Sequence, residues 1–109
     1  MAENSAPAAG EERRLTPLER RALDQMRAST AQGYDPYYRF RYRYVRPSPG
    51  RYVWQWFWDS CFHAVVNARL DPDLARDELR SLVVPHEPDG MIGHMTYWGR
   101  HGAFFAALF

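Results

Sequence analysis

At 109 residues, with 46% hydrophobic, 25% charged and 16% aromatic residues, the chain has the size and composition of one small globular domain. A formal net charge of +1 makes no demand for a nucleic-acid or membrane partner, and no stretch reaches the ~20 apolar residues of a membrane span or the apolar region of a secretion signal. The single cysteine, Cys61, excludes an internal disulfide and suits a reducing compartment, so a cytoplasmic location is expected.

Residues 1–14 are small, polar and charged and read as a disordered leader. Thr16-Pro17-Leu18-Glu19 is a capping-box sequence with proline at the first helical position. It predicts a helix from Pro17 to about Thr30, with Leu18, Ala22, Leu23 and Met26 on one side and Gly33 as its stop. Tyr34-Asp35-Pro36 is turn chemistry, because proline restricts both itself and the residue before it. From Arg39 to Arg46, Phe40, Tyr42 and Tyr44 alternate with Arg39, Arg41 and Arg43, a period-two pattern with one aromatic and one cationic face. Pro47 to Gly50 ends that segment.

Asp59 is read as the start of a second helix to about Arg69, with Phe62, Val65 and Val66 as its buried face. Asp71-Pro72 starts a third, with Leu74, Ala75, Leu79 and Leu82 as the apolar stripe to about Val83, so the two form a tight αα-hairpin. Pro85 to Gly90 is a loop with a turn signal, and Met91 to His94 runs on extended. The run Ala103 to Phe109 begins a further helix with no polar face and no cap. Residues 15–109 are therefore expected to be the N-terminal portion of a larger helical domain, truncated at Phe109.

The run Tyr52-Val-Trp-Gln-Trp-Phe-Trp-Asp-Ser-Cys-Phe-His63 carries the functional signal. Indole faces stack on the C–H faces of a pyranose ring, while a carboxylate accepts two vicinal hydroxyls at once. In an extended segment Trp54, Trp56 and Trp58 would line one face, leaving Asp59 at the strand-to-helix junction. The structural alternative makes the tryptophans core and Asp59 a helix N-cap.

Three blocks in order make the pattern specific: Gln55-Trp-Phe-Trp-Asp-Ser-Cys-Phe-His-Ala64, Leu70-Asp-Pro-Asp-Leu-Ala75 continuing through Glu78-Leu-Arg-Ser-Leu82, and Asp89-Gly-Met-Ile-Gly-His94-Met. Over about residues 48–98 they resemble the mannosylglycerate hydrolase-like enzymes of glycoside hydrolase family 63. Pro49-Gly-Arg-Tyr52 followed by Trp58-Asp59 also resembles the first trehalase signature. Trp54 stands where that signature has a glutamate, and only one glycine precedes Arg51. The resemblance implies an all-α fold, the N-terminal part of an (α/α)6 toroid with short extended segments around 38–46 and 52–58. It further implies an inverting glycoside hydrolase acting on small α-linked glycosides, such as mannosylglycerate or glucosylglycerate. Trp58 and Asp59 would form the floor of the sugar subsite, with Tyr52 and Trp56 along the ring and His94 approaching from the next loop. No position matches the catalytic acid or base of the family, so no catalytic residue is assigned and the chain alone is expected to be inactive.

Other readings are weaker. The alternative is a small non-catalytic binding protein; in its less favoured variant the Arg39–Arg46 face engages phosphates and stacks bases of a nucleic acid, but the aromatics of that face serve equally as core. Cys61, His63, His86, His94 and His101 show none of the strong metal-ligand spacings, so neither metal nor cofactor is expected. A small carbohydrate substrate is the expected partner, with no nucleic acid and no membrane, and oligomeric state is not legible in the sequence.

Overall fold

The computed structural model describes residues 14–98. The expected leader, apart from Arg14, and the apolar run 103–109 lie outside the described residues. Helix α1 (Pro17–Ala28) starts where the capping box places it: the Glu19 backbone N–H donates to Thr16 Oγ1 at 3.1 Å, and the Thr16 N–H donates to Glu19 Oε1 at 3.0 Å. It stops at Ser29, short of Gly33.

Gly33 belongs instead to strand β1 (Thr30–Asp35), which pairs antiparallel with β2 (Phe40–Val45), Gly33 opposite Tyr42. A Cβ at position 33 would lie 2.6 Å from the Tyr42 hydroxyl, so glycine here makes room for a ring that stacks on Trp98 at 5.1 Å between centroids. Asp35 holds the intervening loop, its Oδ1 accepting the backbone N–H groups of Tyr37 at 2.9 Å and Tyr38 at 3.1 Å. Arg39, with φ of 53°, supplies the left-handed residue that returns the chain into β2.

Strand β3 (Gln55–Trp56) leads directly into helix α2 (Phe57–Leu70), and Asp71 alone separates α2 from α3 (Pro72–Val83). This is the expected αα-hairpin. Asp71 accepts the Leu74 N–H at 3.2 Å as the cap of α3, and its other oxygen takes Arg27 of α1 through Nε at 3.2 Å and Nη2 at 3.1 Å. Strand β4 (Met95–Thr96) returns to pair antiparallel with β3.

The free edge of β2 is covered by α3. Ser81 Oγ accepts the Arg43 N–H at 3.0 Å and donates to the Arg43 carbonyl at 3.2 Å, while Glu78 Oε1 accepts the Val45 N–H at 3.2 Å. Two helix side chains thus stand in for a third strand and satisfy edge groups that burial would otherwise leave unpaired. On the other side of the ladder Phe40 and Tyr42 pack on Trp98, and the Tyr44 hydroxyl donates to the Val53 carbonyl at 2.7 Å. Burial pushes the Tyr44 phenol well above the usual tyrosine range, with Tyr42 adding to the shift.

Two expectations are corrected. The described chain is not all-α and does not present part of a purely helical toroid: it is 45% helix and 21% strand, with two small antiparallel sheets. The extended segments expected around 38–46 and 52–58 pair with 30–35 and 95–96, and hydrogen-bond pairing is what makes a strand. Within 52–58 only Gln55 and Trp56 are strand, because Phe57 already begins α2. The buried face of α2 is likewise different. Ser60, Ala64, Asn67 and Leu70 point inward, whereas Phe62 is 59% and Val65 72% exposed. Small side chains let α2 approach α3 closely; Ser60 donates to Glu78 of α3, while the buried Asn67 amide finds no hydrogen-bond partner among the described residues. On α3, Leu74, Ala75 and Leu82 are buried as expected, but Leu79 is exposed.

Candidate functional site

The junction of β3 and α2 positions the candidate residues. Trp56 is the N-terminal flanking residue of α2 and makes no side-chain cap, so Asp59 lies in the first helical turn and is not the N-cap. Backbone N–H groups in that turn favour a carboxylate there. Among the described residues no hydrogen bond or ion pair engages the Asp59 carboxylate. Pro47, Tyr52, Trp56 and Asp59 line a hollow of about 210 Å³.

The rings around it meet edge and face. Tyr52 stands edge-on to Trp56 at 6.2 Å between centroids, and His94 lies over Trp56 at 5.6 Å with 31° between planes. His94 reaches this position because its carbonyl accepts the Phe57 N–H at 2.9 Å, extending the β3–β4 pairing by one step. The preceding turn is tight: Gly90 has φ of +92°, Asp89 Oδ1 accepts the Met91 N–H at 2.9 Å, and the Glu87 N–H donates to the Met91 carbonyl at 2.8 Å. The strand pairing therefore brings together Tyr52, Trp56, Asp59 and His94, separated by up to 42 positions in the chain.

Trp58 is placed differently. It is 71% exposed and packs edge-on against Phe62 at 5.7 Å, on the outward side of the same helical turn. The helix begins one residue before it, which breaks the period-two alternation that would have aligned it with Trp54 and Trp56. Trp54 pairs with Tyr97 at 5.4 Å, away from the hollow's lining.

The hollow is smaller than the ~300–1,000 Å³ of a complete small-molecule site. A larger hollow, about 540 Å³, opens beside β2 and is lined by Arg41, Arg43, Arg80 and Asp77 among others. Arg43 is paired there with Asp77 at 2.7 Å. The aromatic side of that segment, Phe40 and Tyr42, packs on Trp98.

Behind the wall lies a buried polar network that the sequence pattern did not announce as functional. Glu78 is 0% exposed; its Oε2 accepts the Ser60 hydroxyl at 2.7 Å and meets His63 Nδ1 at 3.1 Å. Gln55 Nε2 donates to Ser60 Oγ at 2.9 Å and to the Glu78 carbonyl at 3.1 Å, and the Trp98 indole N–H donates to Gln55 Oε1 at 2.7 Å. The available signal was positional: Glu78 sits between Leu74 and Leu82 on the apolar stripe of α3, where an acid is out of place unless it is paired.

No group of three or more His, Cys, Asp or Glu side chains suited to a metal ion occurs among the described residues, and no described helix is long and apolar enough to cross a membrane. The chain is 36% identical over 62 residues to a mannosylglycerate hydrolase of Rubrobacter radiotolerans, a match covering 57% of this chain and 14% of that protein. It is 31% identical over 62 residues to mannosylglycerate hydrolases MGH1 and MGH2 of Selaginella moellendorffii, covering 57% of this chain and 13% of each. It thus spans about an eighth of the length of the curated relatives it matches. No solved structure matches it. The family model of the mannosylglycerate hydrolase MGH1-like glycoside hydrolase domain covers residues 52–106, half of the chain, taking in the Tyr52–Asp59 wall, the buried Glu78 and His94; the chain belongs to this glycoside hydrolase family.

Proposed function

We propose that the chain supplies a sugar-binding wall to an inverting glycoside hydrolase acting on small α-linked glycosides, with mannosylglycerate or glucosylglycerate as substrate. The observation that carries this reading is the Asp59 carboxylate, without a partner among the described residues, lining a hollow with Tyr52 and Trp56, with His94 against Trp56. A sugar ring laid along Trp56 presents its C–H face to the indole while two neighbouring hydroxyls donate to Asp59. His94 contacts the same ring from the β4 side. The substrate class follows the relatives, which are mannosylglycerate hydrolases.

Hydrolysis with inversion needs an acid on the leaving oxygen and a base holding water on the opposite face, about 6.5–9.5 Å apart. Neither role is assigned to a residue of this chain, so both groups come from outside it and the chain alone is inactive. A cytoplasmic location belongs to the same proposal and rests on the lone Cys61.

The test is Asp59→Ala in the full-length protein, with kcat/KM measured on mannosylglycerate and glucosylglycerate. Losing two charge-assisted hydrogen bonds lowers kcat/KM on the order of a hundredfold, with far-UV circular dichroism unchanged. An unaltered kcat/KM would reduce Asp59 to a helix-end charge and sink the reading.

A further inference from the structure

The buried network has a direction. The Trp98 indole can only donate, and it donates to Gln55 Oε1; Gln55 Nε2 donates to Ser60 Oγ; Ser60 then has its own proton left to give, and gives it to Glu78 Oε2. A carboxylate ends such a chain without needing to pass anything on, and this one also accepts the Val45 N–H and faces His63 Nδ1. The Glu78 side chain, at 0% exposure on α3, thus joins β2 through Val45 and α2 through Ser60 and His63, while Gln55 of β3 reaches Ser60 and the Glu78 backbone carbonyl.

Stability alone does not explain a carboxylate there, since well-packed apolar groups replace buried ionic networks at little or no loss. Its placement offers a reason. Ser60 immediately follows Asp59 and donates to the Glu78 carboxylate, and Gln55 immediately precedes Trp56 and donates to Ser60 and to the Glu78 backbone carbonyl, so the network holds both ends of the segment that carries the proposed sugar contacts. Trp98, which donates to Gln55, lies two residues beyond β4, whose pairing brings His94 against Trp56. We infer that Glu78 is a positioning residue: through Ser60 and Gln55 it fixes the angle between the Trp56 ring and the Asp59 carboxylate on which sugar binding depends. The inference rests on the sugar-binding reading of that hollow.

Glu78→Gln tests it, because the amide keeps the shape but reverses one hydrogen bond. Its oxygen can still accept from Val45, but its nitrogen must donate toward Ser60, which already accepts from Gln55 and loses the acceptor for its own proton. In the full-length protein, Glu78→Gln, Asp59→Asn and the double variant are compared for kcat and KM on mannosylglycerate, with circular dichroism as the check on folding. Expected are a rise in KM on the order of tenfold for Glu78→Gln, a smaller change in kcat, and a double variant no worse than Asp59→Asn alone, since Glu78 acts through Asp59 and its neighbour. A folded Glu78→Gln with unchanged KM, or with an effect that multiplies that of Asp59→Asn, overturns the inference. Should Glu78→Gln not fold, Ser60→Ala cuts the same link with a smaller disturbance, and an unchanged KM there overturns it equally. If Asp59→Asn itself leaves kcat/KM unaltered, the sugar-binding reading fails, separately from any result at Glu78.

Discussion

The two faces of helix α2 reverse the usual rule of what is inside. Its inner face is built from Ser60, Ala64 and Asn67, while its outer face displays Trp58, Phe62 and Val65, at 71%, 59% and 72% exposure. Apolar area favours burial at about 25 cal/mol per Å², so side-chain hydrophobicity would have turned the helix the other way. What turns it is the company on α3. Glu78 and Ser81 must be buried to complete the β2 edge, and a buried carboxylate needs donors close by, which Ser60 and His63 provide. Small inner side chains allow that approach; large ones would hold the helices apart.

The largest expected effect breaks the inner face. Glu78→Ala leaves the Val45 N–H, the Ser60 hydroxyl and His63 without their acceptor in a site closed to water, and should cost about 3–5 kcal/mol, read as a lower denaturant midpoint. A loss below about 1 kcal/mol would show that the network is dispensable to the fold and would leave the orientation of α2 to be explained by other contacts.

An exposed carboxylate sharpens the contrast. Glu19 pairs with Arg69 at the outer end of α2, at 2.8 and 3.2 Å, and that hydrogen-bonded guanidinium, with the Thr16 N–H, lowers its pKa from 4.5 to about 2. Because the folded-state value is the lower one, the contribution to stability is complete above pH 4.5 and is lost as pH falls toward 2. Glu19→Gln should flatten thermal stability against pH over that window and change it little near neutrality, as differential scanning calorimetry would record. An unchanged acid profile would show the pair to be screened out by solvent.

The smallest effect is expected on the outer face. Val65→Thr should shift stability by no more than about 0.5 kcal/mol, the range of substitutions at exposed positions. A larger loss in the full-length protein would show that this apolar face is covered there.

Much of the fold was legible locally. The capping box at Thr16, the Asp71-Pro72 start of α3, the αα-hairpin and the alternation from Phe40 to Val45 are decided by neighbours within a few residues, and the structure keeps all of them. A glycine after a helical pattern looks like a stop, but Gly33 serves here to admit the Tyr42 ring from the partner strand. Trp58 was aligned with Trp56 by extending a period of two past the point where a period of 3.6 takes over. Glu78, Ser60 and Gln55 were invisible as a unit because each is unremarkable alone, and their spacing in sequence says nothing of the distances between them.

The sequence by itself determined where the capped helices α1 and α3 begin and that the alternating segment of β2 is extended. The tertiary structure alone decided that β3 pairs with β4, so that His94 meets Trp56, and which face of α2 turns inward. Those choices depend on satisfying buried hydrogen-bonding groups between elements far apart in the chain. No local pattern encodes that requirement, because the cost of an unpaired buried group arises only once water has been excluded from around it.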